Sequence, residues 1–495
     1  MTRNRFPGLV LSAGLVLAGC SSSPYESEKW SEDAELRQKH LDELVARSEQ
    51  HAATGRDPRA DAISLRSDSV APLVAAPVTA ELQAIAEELS QSWRGEPCHC
   101  QVRLGPSFSF GGFTYPHGTI VIQAGTLEFL DSRDELAALM AHELSHLWLD
   151  HHEKNKLQSA TKGLTDLAQA ISIFSNDEDA RKTTMRMGGS TDAVVAAAGF
   201  TQWNRRQETE ADLLASKILE KSRYSPMAMI AMLTKLRKGK EDVPVAGSAY
   251  EEMAEVAAKK LKKEETEISD NQIQNWLKAV SEDMGGREYL SSEERRQIVR
   301  SVIYGLESAT LARSFTSLEL DLRTLKPVIS LKALHELEPS SPAYHQLVDR
   351  ALTEEPANLH LQLIKFRAVA SVGDRQHAGR MAVAFIENPD ATFSVLSAAT
   401  RFLDQNGTMD DGTRKSLMHK AVARLVELDL PDAYVADQYY LANRYQVPLH
   451  DKLNEKLCVA GTGKSNVRQR CELARQALEG NRSFYQLLAT AEGRR

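Results

Sequence analysis

Residues Asp131–Glu153 read DSRDELAALMAHELSHLWLDHHE, and the reading of this stretch decides the rest of the chain. Ser132 and Glu135 have the spacing of a capping box, and Asp131 and Asp134 put negative charge where a helix dipole is positive. Ala137, Ala138, Leu139, Met140, Ala141, Leu144 and Leu147 then make the segment apolar nearly all round, which predicts a buried helix. At about 100° per residue, His142 and His146 fall one turn apart on one face. Two neutral imidazoles so placed reach a single zinc ion, and Glu143, one step round, reaches the water at the metal without ligating it. The plainer alternative is a core helix that happens to carry two histidines.

A zinc site needs a third protein ligand, and two readings compete for it. In the metzincin pattern a glycine three residues past the second histidine turns the chain toward a further histidine. His152 stands in that histidine's place, but Leu149 stands where the glycine should be. A helix that runs on carries His152 about 240° round from His146. His151 and His152 then read as cations at a helix C-terminus. The other reading uses Arg205-Arg206-Gln207-Glu208-Thr209-Glu210-Ala211-Asp212, in which Glu208 and Asp212 are i and i+4. One carboxylate can bind the metal while the other orients a ligating histidine. The plain reading of that pair is a solvated charged face.

The two runs together resemble the HtpX-like and BepA-like zinc metallopeptidases, gluzincins that combine His-Glu-x-x-His with a later Glu-x-x-x-Asp. The resemblance covers about residues 79–238. It implies His142, His146 and Glu208 as ligands of one zinc ion, Glu143 as the base activating its water, and Asp212 as the carboxylate behind a ligand. It also implies that Thr119–Gln123 is the edge of a small sheet beside the zinc helix, open to an extended polypeptide by strand addition. Tyr224-Ser225-Pro226-Met227-Ala228 matches the family after its third ligand, with Ser225 and Pro226 opening a helix over 227–238. One departure stands out. The Thr-His-Pro loop of BepA-like relatives is missing, since no histidine occurs between His152 and His335.

Outward from these motifs, residues 1–19 read as a lipoprotein signal peptide, with Arg3 and Arg5 before a short apolar run and Leu17-Ala18-Gly19-Cys20 as a lipobox. Cys20 would be the lipidated first residue, and Ser21 after it points to the outer membrane, facing the periplasm of a Gram-negative bacterium. Residues 20–78 read as a tether: a charged, solvated helix over 26–49, then a linker rich in Gly, Pro and Ser. The metallopeptidase domain is expected over 79–265. Leu82, Ile85, Ala86 and Leu89 give it an amphipathic helix, 100–104 a strand, 107–112 a turn-rich connection, and 154–203 a lid or wall. Residues 266–495 read as helix after helix, with Pro356 and Pro389 recurring near the ~34-residue period of tetratricopeptide repeats. An irregular bundle is the alternative.

The fold class expected is therefore mainly α (α+β): a gluzincin domain with a small sheet edge beside the zinc helix, then a helical, TPR-like domain. Cys458 and Cys471 are spaced to close a disulfide loop worth roughly 3 kcal/mol in an oxidising compartment. Cys98-His99-Cys100 fits a second metal site, a local disulfide or two thiols pairing elsewhere, with disulfide chemistry favoured. A net charge of −8 and no basic patch with interleaved aromatics argue against nucleic acid as a partner. The function implied by the family resemblance and the lipobox is zinc-dependent hydrolysis of misfolded or unassembled envelope proteins, with outer-membrane assembly partners held by the C-terminal repeats. The rival function is a periplasmic chaperone or assembly adaptor acting through those repeats with little proteolysis.

Overall fold

The computed structural model describes residues 33–50, 56–106, 110–154, 205–242, 292–318, 337, 341–406, 409–428, 434–447, 458 and 465–493. The signal peptide, Cys20 and the lid expected over 154–203 (from 155 on) lie outside the described residues. The chain divides into two units at Glu43 and Leu44. Of the first, residues 33–43 are described. They open helix α1 (Ala34–Gln50), where Asp33 Oδ1 accepts from the N–H groups of Glu35 and Leu36 at 2.8 and 3.1 Å. Everything that follows concerns the second unit.

The last turns of α1 are not a solvated helix. Leu44 and Ser48 are buried, and Ser48 Oγ accepts from Trp93 Nε1 at 3.3 Å. Residues 56–75, read from composition as linker, are built into the fold as well. The buried Asp61 carboxylate accepts from the backbone N–H groups of His117 and Thr119 at 3.1 and 2.9 Å. Val70 packs with Phe113, Tyr115 and Val121, and Leu73 bridges to Leu104. Small and polar residues here serve close packing and turn-like hydrogen bonds, which a compositional reading cannot separate from a tether. Helix α2 (Ala76–Arg94) follows, burying Val78, Leu82, Ile85, Ala86, Leu89 and Trp93 and ending at Gly95 with φ +73°.

The sheet has three strands: β1 (Gln101–Gly105), β2 (Gly112–Thr114) and β3 (Thr119–Gln123), in the order β1-β3-β2. β1 runs parallel to β3, with Val102 opposite Ile120, and β2 runs antiparallel to it, with Phe113 opposite Val121. Thr119–Gln123 is thus the central strand, with both edges paired. Its β-branched, fully buried residues suit that place better than an edge. The edge beside the histidine-bearing helix is β2, in a stretch whose Gly and Ser content reads as a turn.

That helix, α3 (Arg133–Trp148), is closed at its start by the expected capping box of Ser132 and Glu135 and is buried on every side. It packs against α2, β2, α4 (Arg205–Lys221) and α5 (Met227–Asp242). The Ser225 hydroxyl does not cap α5; its backbone N–H is held by Asp134 Oδ1 at 2.7 Å. Helix α6 (Ser292–Ile303) packs on α4 and α5, and the chain beyond it also stays with this half. Arg313 donates to the carbonyls of Leu219, Glu220, Ser222 and Tyr224, closing the C-terminus of α4. Arg133 N–H donates to Thr316 O, and Ser132 bridges to Ser317. The boundary expected at 265/266 therefore cuts through a packed unit reaching to about 318.

From Pro342 on the described residues form the helices α7 (Pro342–Glu354), α8 (Leu359–Ser371), α9 (Arg375–Glu387), α10 (Phe393–Gln405), α11 (Asp411–Glu427), α12 (Val435–Tyr445), α13 (Ser465–Glu479) and α14 (Phe484–Gly493). Each packs on its sequence neighbour, and Pro356 and Pro389 sit in the turns after α7 and α9. Asn358, Asp374 and Asp410 cap α8, α9 and α11 with their side chains. Disulfides join Cys98 to Cys100 and Cys458 to Cys471. No described helix is long and apolar enough to cross a membrane.

Candidate metal centre

Packing α3 beside α4 brings His142, His146 and Glu208 together, all three buried. His142 Nε2 and His146 Nε2 are 3.1 Å apart, and the Glu208 oxygens lie 3.7 Å from the first and 3.5 Å from the second. A tetrahedral ion with ligand bonds near 2.0–2.1 Å sets its donor atoms about 3.3 Å apart. Two imidazoles and a carboxylate at these separations can hold a divalent cation, and zinc suits that donor set. Glu208 and Asp212 are therefore not a solvated face: both point into the buried seam between the helices.

Glu143 is held from the sheet. Thr114 Oγ1 on β2 donates to Glu143 Oε2 at 2.9 Å and to its backbone carbonyl at 3.2 Å. Gly112 lets the strand come this close, because a Cβ there would stand 3.2 Å from Glu143 Cγ and 3.0 Å from Val121 O. Burial pushes the Glu143 carboxyl up to about 7, against the pull of His142 and the Thr114 hydroxyl. A carboxyl poised there exchanges protons readily near neutral pH.

Behind the ligand atoms stand two sets of charges. His142 Nδ1 lies 2.9 Å from Asp212 Oδ1, and Arg295 of α6 donates to both Asp212 oxygens at 2.7 and 2.8 Å. The same guanidinium reaches Glu208 Oε2 at 2.9 Å. Burial raises Asp212, but Arg295 and His142 outweigh it and hold the carboxyl below its ordinary value. On the other side, His146 Nδ1 meets His151 Nδ1 at 2.8 Å, and Glu210 Oε2 lies 3.4 Å from His151 Nε2 and 3.2 Å from Arg47 Nη2. Burial, with His142 and His151 close by, lowers His146 far below its ordinary value.

Arg295, His151 and Thr114 are the residues that sequence reasoning passed over. Helix α3 does stop, but one residue later than a glycine at 149 would stop it. Asp150 takes φ +54°, a left-handed turn that aspartate tolerates. The reversal brings His151, not His152, back under His146. Neither stands exposed at the helix end: His151 is fully buried, and burial, with His151 and Arg56 nearby, lowers His152 to about 3. His152 is not among the convergent ligand atoms.

Two imidazoles one turn apart, a carboxylate beside them and a second carboxylate from another helix make this a candidate metal centre. Residues 79–292 match the model of Peptidase family M48. The Beta-barrel assembly-enhancing protease of Escherichia coli (strain K12) is similar, 29% identical over 129 residues, and its Yersinia pestis namesake is 26% identical over 129. The matched stretch is 25% of this chain and spans only 25% of each of these relatives.

Proposed function

We propose that this protein is a zinc endopeptidase, with His142, His146 and Glu208 holding one ion, Glu143 as general base and Asp212 orienting His142. The observation that carries the reading is the meeting of three buried ligand-bearing side chains whose donor atoms lie within 4.8 Å of one another, with the Glu143 carboxyl on the same helix as the two histidines. Zinc bound there supplies Lewis acidity to a scissile carbonyl and acidity to a water. Glu143 takes the proton of the attacking water and passes it to the leaving amine, while Thr114 keeps its carboxylate turned toward the site. The outer edge of β2 offers an extended polypeptide backbone hydrogen bonds beside that carboxylate, which suits substrates recognised by conformation more than by sequence.

The substrates we assign are misfolded or unassembled envelope proteins, on the strength of the lipobox at Cys20 and the relatives' name. The proposed location is the outer membrane, lipid-anchored and facing the periplasm. Residues from Pro342 on, with helices opening at Pro342, Arg375 and Asp411 near the ~34-residue repeat spacing, serve as a TPR-like docking surface for assembly partners. The test is cleavage of an unfolded casein-type substrate by the purified chain and by Glu143→Gln. The glutamine variant should keep its zinc and lose about 10²–10⁴-fold in rate. Full activity in that variant refutes the mechanism.

A further inference from the structure

We propose that the helix preceding the matched peptidase segment completes the metal centre: Arg47 of α1, through Glu210 and His151, fixes the His146 imidazole. The proposal rests on the zinc reading above, and it makes His151, Glu210 and Arg47 positioning residues.

The argument starts from the two ring nitrogens of His146. Nε2 faces His142 and Glu208, so it must present a lone pair to a cation, and the ring proton must then sit on Nδ1. The atom waiting there is His151 Nδ1, at 2.8 Å. For it to accept, His151 must carry its own proton on Nε2, where Glu210 Oε2 lies 3.4 Å away. Glu210 is buried, 3% exposed, and a carboxylate so placed needs a cation. Arg47 Nη2, 3.2 Å from the same oxygen, supplies it. Arg47 also stands 3.4 Å from His151 Nε2, so both donors converge on Glu210. With these protons His146 Nδ1 donates to His151 Nδ1, and His151 Nε2 and Arg47 Nη2 stand side by side as donors to Glu210 Oε2. Two further features hold His151 in place: the left-handed turn at Asp150, and the Gln207 amide donating to His151 O at 3.1 Å. His142 has its carboxylate directly; His146 has one relayed through a second imidazole.

The test uses the full chain and four variants: His151→Ala, His151→Asn, Glu210→Gln and Arg47→Met. Zinc affinity is measured by competition with a chelator, and ligand geometry by the visible absorption of the cobalt(II)-substituted protein. Melting of the metal-free forms reports folding alone. His151→Ala should lose about 10–100-fold in zinc affinity and shift the cobalt bands. His151→Asn, whose amide oxygen replaces Nδ1 but not Nε2, should recover most of that loss and match Glu210→Gln. Arg47→Met should show a smaller loss of the same kind. Unchanged affinity and unchanged cobalt bands in His151→Ala overturn the proposal. Should that variant not fold, wild-type values in both His151→Asn and Glu210→Gln overturn it equally. A wild type that binds no zinc, or a His142→Ala variant that binds it as tightly, instead overturns the metal reading itself.

Discussion

Asp212 and Asp404 are both buried carboxylates paired with arginine, and they do opposite things. Asp404, in the helical half, is ringed by donors: Tyr445 at 2.9 Å, Tyr440 at 3.2 Å, Ser483 at 3.4 Å and Arg444 at 2.9 Å. These come from α12 and the residue just before α14, and the Tyr440 hydroxyl also reaches Arg482 O, so the charge ties helices together. Asp212 is held as firmly by Arg295, but the imidazole in front of it turns its other nitrogen toward His146 and Glu208. Burial and charge are common to the two sites. What marks the candidate site is a set of donor atoms pointing at a common place.

The comparison breaks first at the ligands. His146→Ala should remove stoichiometric zinc and cleavage together, while Asp404→Asn should keep both and cost about 1–3 kcal/mol of stability. Metal analysis and urea unfolding of the two variants decide it. Loss of zinc in Asp404→Asn would join the halves into one site. The next effect is Arg295→Met, which strands Asp212 as an uncompensated buried charge. Zinc affinity should fall about 10–100-fold and stability by about 3–5 kcal/mol. A variant with normal affinity would make Arg295 a packing residue only. Smaller still is Thr114→Val, which removes one hydrogen bond to Glu143 worth about 1 kcal/mol. It should lower kcat about fivefold with zinc content unchanged.

The same contrast explains how much could be read from the sequence. The capping box, the all-round apolar face of α3 and the i, i+4 carboxylates are local patterns. Local patterns survive into the fold, so His142, Glu143, His146, Glu208 and Asp212, which the structure brings together, were legible as one cluster. Arg295 was not, because SEERRQIVRSVI resembles any charged helix. A signal was present: Arg295, Ile298, Val299 and Ile303 share one buried face, and an arginine on an apolar face asks for a carboxylate. His151 depends on a left-handed residue that any aspartate can take or refuse, and β2 on a close approach at Gly112. Those are tertiary facts, as is the burial of Asp61 within a stretch composed like a linker.

The smallest effect sharpens the choice of third ligand. His152 carries the histidine of the metzincin spacing, and by spacing alone it competes with Glu208 for the metal. The turn at Asp150 settles their geometry differently: it spends the position beneath His146 on His151 and leaves His152 beyond it. Burial, with His151 and Arg56 nearby, lowers His152 to about 3, so near neutral pH its loss removes no charge from the site. His152→Ala should therefore change zinc affinity by no more than about twofold, within the few tenths of a kcal/mol of an ordinary substitution. Glu208→Ala, removing a donor atom at 3.5 Å from His146 Nε2, should strip the metal under the same chelator. If chelator competition instead shows His152→Ala releasing zinc while Glu208→Ala retains it, the pairing of α3 with α4 no longer defines the centre, and the contrast with Asp404 falls with it.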